Sequence, residues 1–244
     1  RQLPRPPGSF TGRHRELSLL DAISTGAGPR LAVVSGPAGV GKTALTLCWA
    51  HGATRRFPDG QLYVNLRGFD PCGSVLDPHE ALRGFLHALG VAPDRVPTTV
   101  AEATALYRSL LAGRRMLVLL DNARDVEQVR PLLPGEPACT VVVTSRNRLT
   151  SLLAAEGGQP VDVHLLSRAE ARDLLAGRLG RGRVAAEPEA VDEIVTRCAG
   201  LPLALAITAA RATSHPSFPL SVLAAELRNS LSALTGPDPH TDLR

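Results

Sequence analysis

The chain has 244 residues, 44% of them hydrophobic and 20% charged, which is the composition of a globular protein long enough for one α/β domain and a smaller companion. Aromatics make up 3%, so the core must rest on Leu, Val, Ala and Ile; no apolar run reaches the roughly 18 residues that suggest a membrane span, and residues 1–9 lack the apolar centre of a signal peptide. The formal charge of +4 comes from basic residues dispersed along the chain, which with so few aromatics argues against a nucleic-acid surface.

In chain order, residues 1–9 read as a linker cut from a longer polypeptide. Leu31 to Ser35 is a short apolar strand. A Gly-rich turn follows, Gly36, Pro37, Ala38, Gly39, Val40, Gly41, and then a helix opening on Lys42, Thr43 and Ala44. This is GxxxxGK[ST] in full, in the strand–loop–helix setting that a phosphate-binding loop requires. Glycines let backbone N–H groups turn inward around a phosphate, and the helix N-terminus adds its positive end. Lys42 is expected to reach the phosphate oxygens and the Thr43 hydroxyl to ligate Mg²⁺. Of 27 basic residues, Lys42 is the one lysine. Elsewhere either cation serves, whereas here a compact ammonium is the better fit to phosphate oxygens.

Residues 62–66, 116–120, 140–143 and 161–165 read as four further strands, near-continuously apolar as in a parallel sheet covered on both faces. Helices between them have legible starts. Asp77-Pro78 with Glu80, Thr99 with Glu102, and Ser167 with Glu170 each suggest a capping box. Strands alternating with helices imply an α/β, three-layer P-loop sandwich with a five-stranded parallel sheet. After about Leu166 the pattern turns helical. Ala190, Val191, Ile194, Val195 and Cys198 follow helical spacing, Gly200 reads as the C′ residue, and Pro202 opens another helix. Residues 203–212 and 220–234 complete a small all-α domain. The expected organisation is therefore a linker at 1–9, a nucleotide-binding domain at 10–166, a helical lid at 167–235 and a tail at 236–244.

Asp121 closes an apolar strand and is expected to hold the magnesium shell; a turn residue or helix cap is the alternative reading. Arg146, just past the fourth strand, stands where ligands of parallel sheets bind and is expected to sense a terminal phosphate, the alternative being a surface Arg beside Arg148. Asn122 occupies the position after Asp121 where a second acid could activate water, and an amide cannot act as a general base. Cys48, Cys72, Cys139 and Cys198 form no CxxC pair and the seven His are scattered, so a reducing cytoplasm is expected and no transition-metal site.

These motifs, in order with Phe10-Thr11-Gly12-Arg13, Glu16-Leu17 and Gly200-Leu201-Pro202-Leu203-Ala204-Leu205, resemble the NB-ARC class of STAND ATPases. The run from Phe57 to Phe69 and that from Leu117 to Arg124 are similar to the ATPase module of AfsR-like SARP transcriptional regulators. The resemblance implies an ATP/ADP switch with slow hydrolysis, controlling a transcriptional activator of secondary-metabolite or antibiotic biosynthesis. It implies that Thr11, Gly12 and Arg13 lie against the adenine and that Pro202 packs on the base. It also implies flanking partners: a DNA-binding and activation region before the module, a winged helix and helical repeats after it, and a possible nucleotide-dependent oligomer. No membrane partner or direct contact of this module with nucleic acid is expected. Lys42, Asp121, Asn122 and Arg146 are the expected catalytic set of that slow hydrolysis. An ATP-consuming motor or enzyme, against which Asn122 argues, and a DNA-binding module are the competing readings.

Overall fold

The computed structural model describes the backbone of residues 2–70 and 73–234, with side chains described as far as 228. Cys72 and the expected tail at 236–244 lie outside these residues. The chain divides into two units, 1–164 and 165–244.

The first unit runs α1 (His14–Thr25), β1 (Leu31–Ser35), α2 (Lys42–Gly52), β2 (Gly60–Asn65), α3 (Pro78–Ala88), α4 (Val100–Leu111), β3 (Met116–Ala123), α5 (Val126–Val129), β4 (Thr140–Ser145), α6 (Thr150–Glu156) and β5 (Gln159–Asp162). The five strands form one sheet in the order β2-β3-β4-β1-β5, and every pairing is parallel. Every residue of β1 and β4 is buried, because helices cover both faces. Alternation sends Val33, Val118, Leu120, Val141 and Val143 to one face, where they share a core with Leu82, Phe85 and Tyr107 of α3 and α4. Helix α1 packs against β5 and β1, and α2 against β4 and β3.

The sequence places the last strand at 161–165, but β5 spans Gln159–Asp162. The apolar pattern misleads here because Val163 is buried and still donates to Ser35 O at 2.7 Å after the strand has ended. Pro160 fits within β5 because this strand is an edge of the sheet. Helix α1 has no counterpart in the sequence reading.

The second unit runs α7 (Arg168–Leu179), α8 (Arg181–Ala186), α9 (Pro188–Arg197), α10 (Pro202–Ser214) and α11 (Leu220–Leu234). Its core joins Leu166, Leu175, Val191, Ile194, Leu205 and Leu223. Ser167 and Glu170 form the full capping box of α7. Asp77 caps α3 through His79 N alone, and Glu80 pairs instead with Arg67 at 3.8 Å. After α9 it is Ala199 that first turns left-handed, at φ 49°, with Gly200 next at φ 66°. Gly200 is required chiefly by close approach: a Cβ there would meet Leu166 O at 2.5 Å.

Among the described residues no helix is long and apolar enough to cross a membrane.

Candidate nucleotide site

The carboxyl ends of β1, β3 and β4 converge at one rim of the sheet, the position where parallel α/β sheets present ligand sites. The loop leaving β1 turns through left-handed glycines, Gly39 at φ 75° and Gly41 at φ 95°. Gly36 is pressed against the chain after β5, where a Cβ would sit 2.4 Å from Val163 O. Gly41 is the N-cap of α2 and carries no side chain to satisfy the first-turn amides. An uncapped helix N-terminus with inward-turning amides is complementary to an anion.

Lys42 folds over this loop and donates from Nζ to Gly36 O at 2.7 Å and Pro37 O at 2.8 Å. Burial pushes its pKa below the ordinary lysine value and the nearby Arg146 guanidinium adds to the depression, while Asp121 opposes it. Two cations facing one loop favour the arrival of negative charge.

Asp121 is only 3% exposed, yet it is surrounded by donors. Thr43 Oγ1 donates to its Oδ1 at 2.8 Å, Thr144 Oγ1 to the same oxygen at 2.6 Å, and Tyr63 OH to Oδ2 at 3.3 Å. Burial, with the adjacent Asp121 charge, raises the Tyr63 phenol's pKa well above normal and keeps it a donor. A β-bulge aims this carboxylate. Leu120 pairs with Val143 and Ala123 with Ser145, so that Asp121 and Asn122 together oppose Thr144. Asn122 takes the strain at φ 59°, and its backbone N–H donates to Thr144 Oγ1 at 2.8 Å. The bulge was not legible from an apolar run ending in Asp-Asn; nor was the role of Tyr63 and Thr144 as partners of Asp121, although each lies in a run or strand end that the sequence marks.

Arg13 is 7% exposed and left-handed, at φ 64°, where it starts α1. Its Nη2 donates to His164 O at 2.6 Å and to Val40 O at 3.3 Å, and its Nη1 pairs with Glu16 at 3.3 Å. These bonds tie residues 11–13 to the phosphate loop through Arg13. Arg146 is exposed, with its guanidinium carbon 4.7 Å from the centre of the Phe69 ring. The structure therefore brings Lys42, Thr43, Asp121, Asn122 and Arg146 to one rim. Pro202 belongs to the second unit, where it is the first residue of α10.

Lys42, Arg146 and the loop amides suit a polyphosphate, and the paired oxygens of Thr43 and Asp121 suit a hard divalent cation. The parallel sheet and its Gly36–Thr43 loop define a P-loop NTPase fold. No family model matches the chain. It is homologous to regulatory protein AfsR of Streptomyces griseus, with 46% identity over 229 residues, or 93% of this chain. The match spans 23% of the length of that relative. Among solved structures, a Walker-type ATPase of Pyrococcus abyssi shares the fold with a TM-score of 0.60 at 12% identity, covering 95% of this chain and 77% of that one. A STAND protein with a tetratricopeptide repeat sensor from Pyrococcus horikoshii aligns with a TM-score of 0.54 at 23% identity, over 83% of this chain and 30% of its own.

Proposed function

We propose that this chain is the ATP/ADP-binding switch module of an AfsR-like transcriptional regulator, acting in secondary-metabolite control in the cytoplasm. The observation that carries the reading is the Thr43–Asp121–Thr144 cluster set beside the uncapped loop that Lys42 crosses. Lys42 and the loop amides would hold the phosphates, Thr43 and Asp121 would hold Mg²⁺, and Arg146 would answer to the terminal phosphate. Bound Mg²⁺ would neutralise phosphate charge. Arg13 holds the loop through Val40 O, and residues 11–13 would lie against the base. The flanking regions of the full-length protein would read the nucleotide state and contact DNA.

Asn122 lies in the bulge beside Asp121 and offers an amide where a base would take a proton, which favours slow hydrolysis and a timing role. The test has two readouts. Mass spectrometry of nucleotide released from freshly purified protein is expected to find ADP or ATP. Phosphate release under saturating Mg–ATP is expected to stay well below about 10 per second. Finding GDP, or turnover of tens per second that Lys42→Ala abolishes, would overturn the switch.

A further inference from the structure

The segment between β2 and α3 carries no phosphate-binding motif, yet its first residues are fastened to the bulge that carries Asp121. Leu66 N donates to Asp121 O at 2.8 Å and Gly68 N to Asn122 O at 2.8 Å. Arg67 is left-handed at φ 52°, and its N–H donates to Asn65 Oδ1 at 2.9 Å. Gly68 lies so close to the bulge that a Cβ would meet Arg124 N at 2.4 Å. Phe69 follows at once, so the backbone that carries its ring is anchored to residues 121–124. The segment bearing Arg146 is anchored to the same stretch: Ser145 Oγ donates to Ala123 O at 2.6 Å and Asn147 Nδ2 to Arg124 O at 2.8 Å.

Arg146 differs from the arginines around it. Arg124 pairs with Asp125 at 2.8 Å and Arg148 with Asp162 at 3.8 Å. Among the described residues Arg146 has no carboxylate partner, and what its guanidinium meets is the Phe69 ring at 4.7 Å. The chemistry of that choice matters. A carboxylate would engage the in-plane N–H donors and compete with an incoming anion, whereas a ring engages the face and leaves the donor edge open.

We infer that Phe69 is a positioning residue: its ring holds the Arg146 guanidinium by cation–π contact and leaves N–H donors available to the terminal phosphate of ATP. The inference rests on Arg146 being the γ-phosphate contact. A held guanidinium loses less side-chain freedom when it binds, so Phe69 favours the triphosphate without touching it.

The test is calorimetry of Mg–ATP and Mg–ADP on the whole chain. It compares the unmodified protein with Phe69→Leu, Phe69→Tyr, Arg146→Ala and the double variant Phe69→Leu/Arg146→Ala, with circular dichroism to verify folding. Phe69→Leu is expected to weaken ATP about threefold to fivefold and to leave ADP within about twofold. Phe69→Tyr keeps the ring face and should retain both affinities. In the Arg146→Ala background Phe69→Leu should be silent, a coupling that a merely structural role would not produce. Equal weakening of both nucleotides by Phe69→Leu, or an undiminished effect when Arg146 is already gone, overturns the inference. Equal weakening by Arg146→Ala, or no binding of either nucleotide by the unmodified chain, overturns the reading beneath it instead.

Discussion

The two units bury different kinds of side chain. The sheet unit encloses Arg13, Ser24, Ser35, Thr46, Gln61, Asp121, Gln128, Thr140, Thr144 and Ser145, whereas in the helical unit Thr208 is the one polar side chain buried among the described residues. Buried polar groups are costly unless satisfied, and several of these lie at the carboxyl rim with partners set by the strand ends. Ser35 donates to Asp162 at 2.7 Å, Ser145 to Ala123 O, and Thr144 to Asp121. The helical unit keeps its polarity outside. Asp192 pairs with Arg168 and Arg172, Glu193 with Arg228, and Glu187 accepts from Leu220 N and Ser221 N at the start of α11. The difference separates a unit in which polar geometry is the product from one whose interior is a packed apolar scaffold.

The largest expected effect breaks the first half of that contrast. Lys42→Ala removes the one ammonium at the rim and replaces its bonds to Gly36 O and Pro37 O with nothing. ATP and ADP binding should both fall below calorimetric detection, about a thousandfold or more, with the circular dichroism spectrum unchanged. Micromolar affinity retained in a folded Lys42→Ala protein would refute the site. The second effect is on stability. Leu205 is fully buried in the helical core, and Leu205→Ala should cost about 2–5 kcal/mol, read by chemical denaturation. Thr208→Val, in the same helix, replaces a hydroxyl that donates to Ala204 O, and should cost much less if this core is apolar in character.

How much of this was legible in the sequence follows the same division. Gly36 to Thr43 could be read directly because its chemistry is local: strand, turn and helix are contiguous. The strands were recognisable where both faces are buried, as in β1 and β4, and least so in β5, where an edge position lets Pro160 in and Val163 carries the pattern past the end. Asp121 could be named, but not how it is held. Its partners Thr43, Tyr63 and Thr144 lie 78, 58 and 23 residues away, and only the strand order β2-β3-β4-β1, with α2 following β1, brings them together. A bulge leaves no signature in an apolar run, so the aim of Asp121 emerges from pairing rather than from composition. Arg13 illustrates the opposite case. The motif marks it as important, and the structure shows buried bonds to Val40 O and His164 O that no local pattern could specify.

Asp121→Asn sharpens the comparison at intermediate scale, because it keeps the shape of the buried cluster and removes its charge. An amide oxygen can still accept from Thr43 and Thr144, and the Tyr63 hydroxyl can turn to meet the new N–H₂. The fold should persist with little change in melting temperature. What should disappear is the contribution of magnesium: about tenfold of ATP affinity is expected to depend on Mg²⁺ in the unmodified chain and none of it in Asp121→Asn. Titration of ATP with and without EDTA measures both. An undiminished magnesium dependence in the variant would leave Asp121 as a structural carboxylate.

The smallest expected effect tests the second half of the contrast, that polarity in the helical unit is peripheral. Glu187 accepts from Leu220 N at 2.7 Å and Ser221 N at 3.0 Å, reaching across from the start of α9 to cap α11. The Leu220 bond is the main reason its pKa lies below the ordinary glutamate value of 4.5, with partial burial opposing and Ser221 and Arg183 assisting. A carboxylate whose pKa is depressed by folding adds stability that is fully present above its unfolded pKa and is lost as pH falls through the folded one. Glu187→Gln can still accept both bonds but carries no charge to lose. At neutral pH it should therefore melt only slightly earlier than the unmodified chain, by no more than a few degrees, as expected for a solvent-screened charge. As the pH drops below about 4.5 the two melting curves should draw together, and they should coincide once the carboxylate is protonated in the folded state. A gap that stays constant down to pH 3 would show that the amide fails as a cap for geometric reasons, and that the charge of Glu187 contributes nothing at the end of α11.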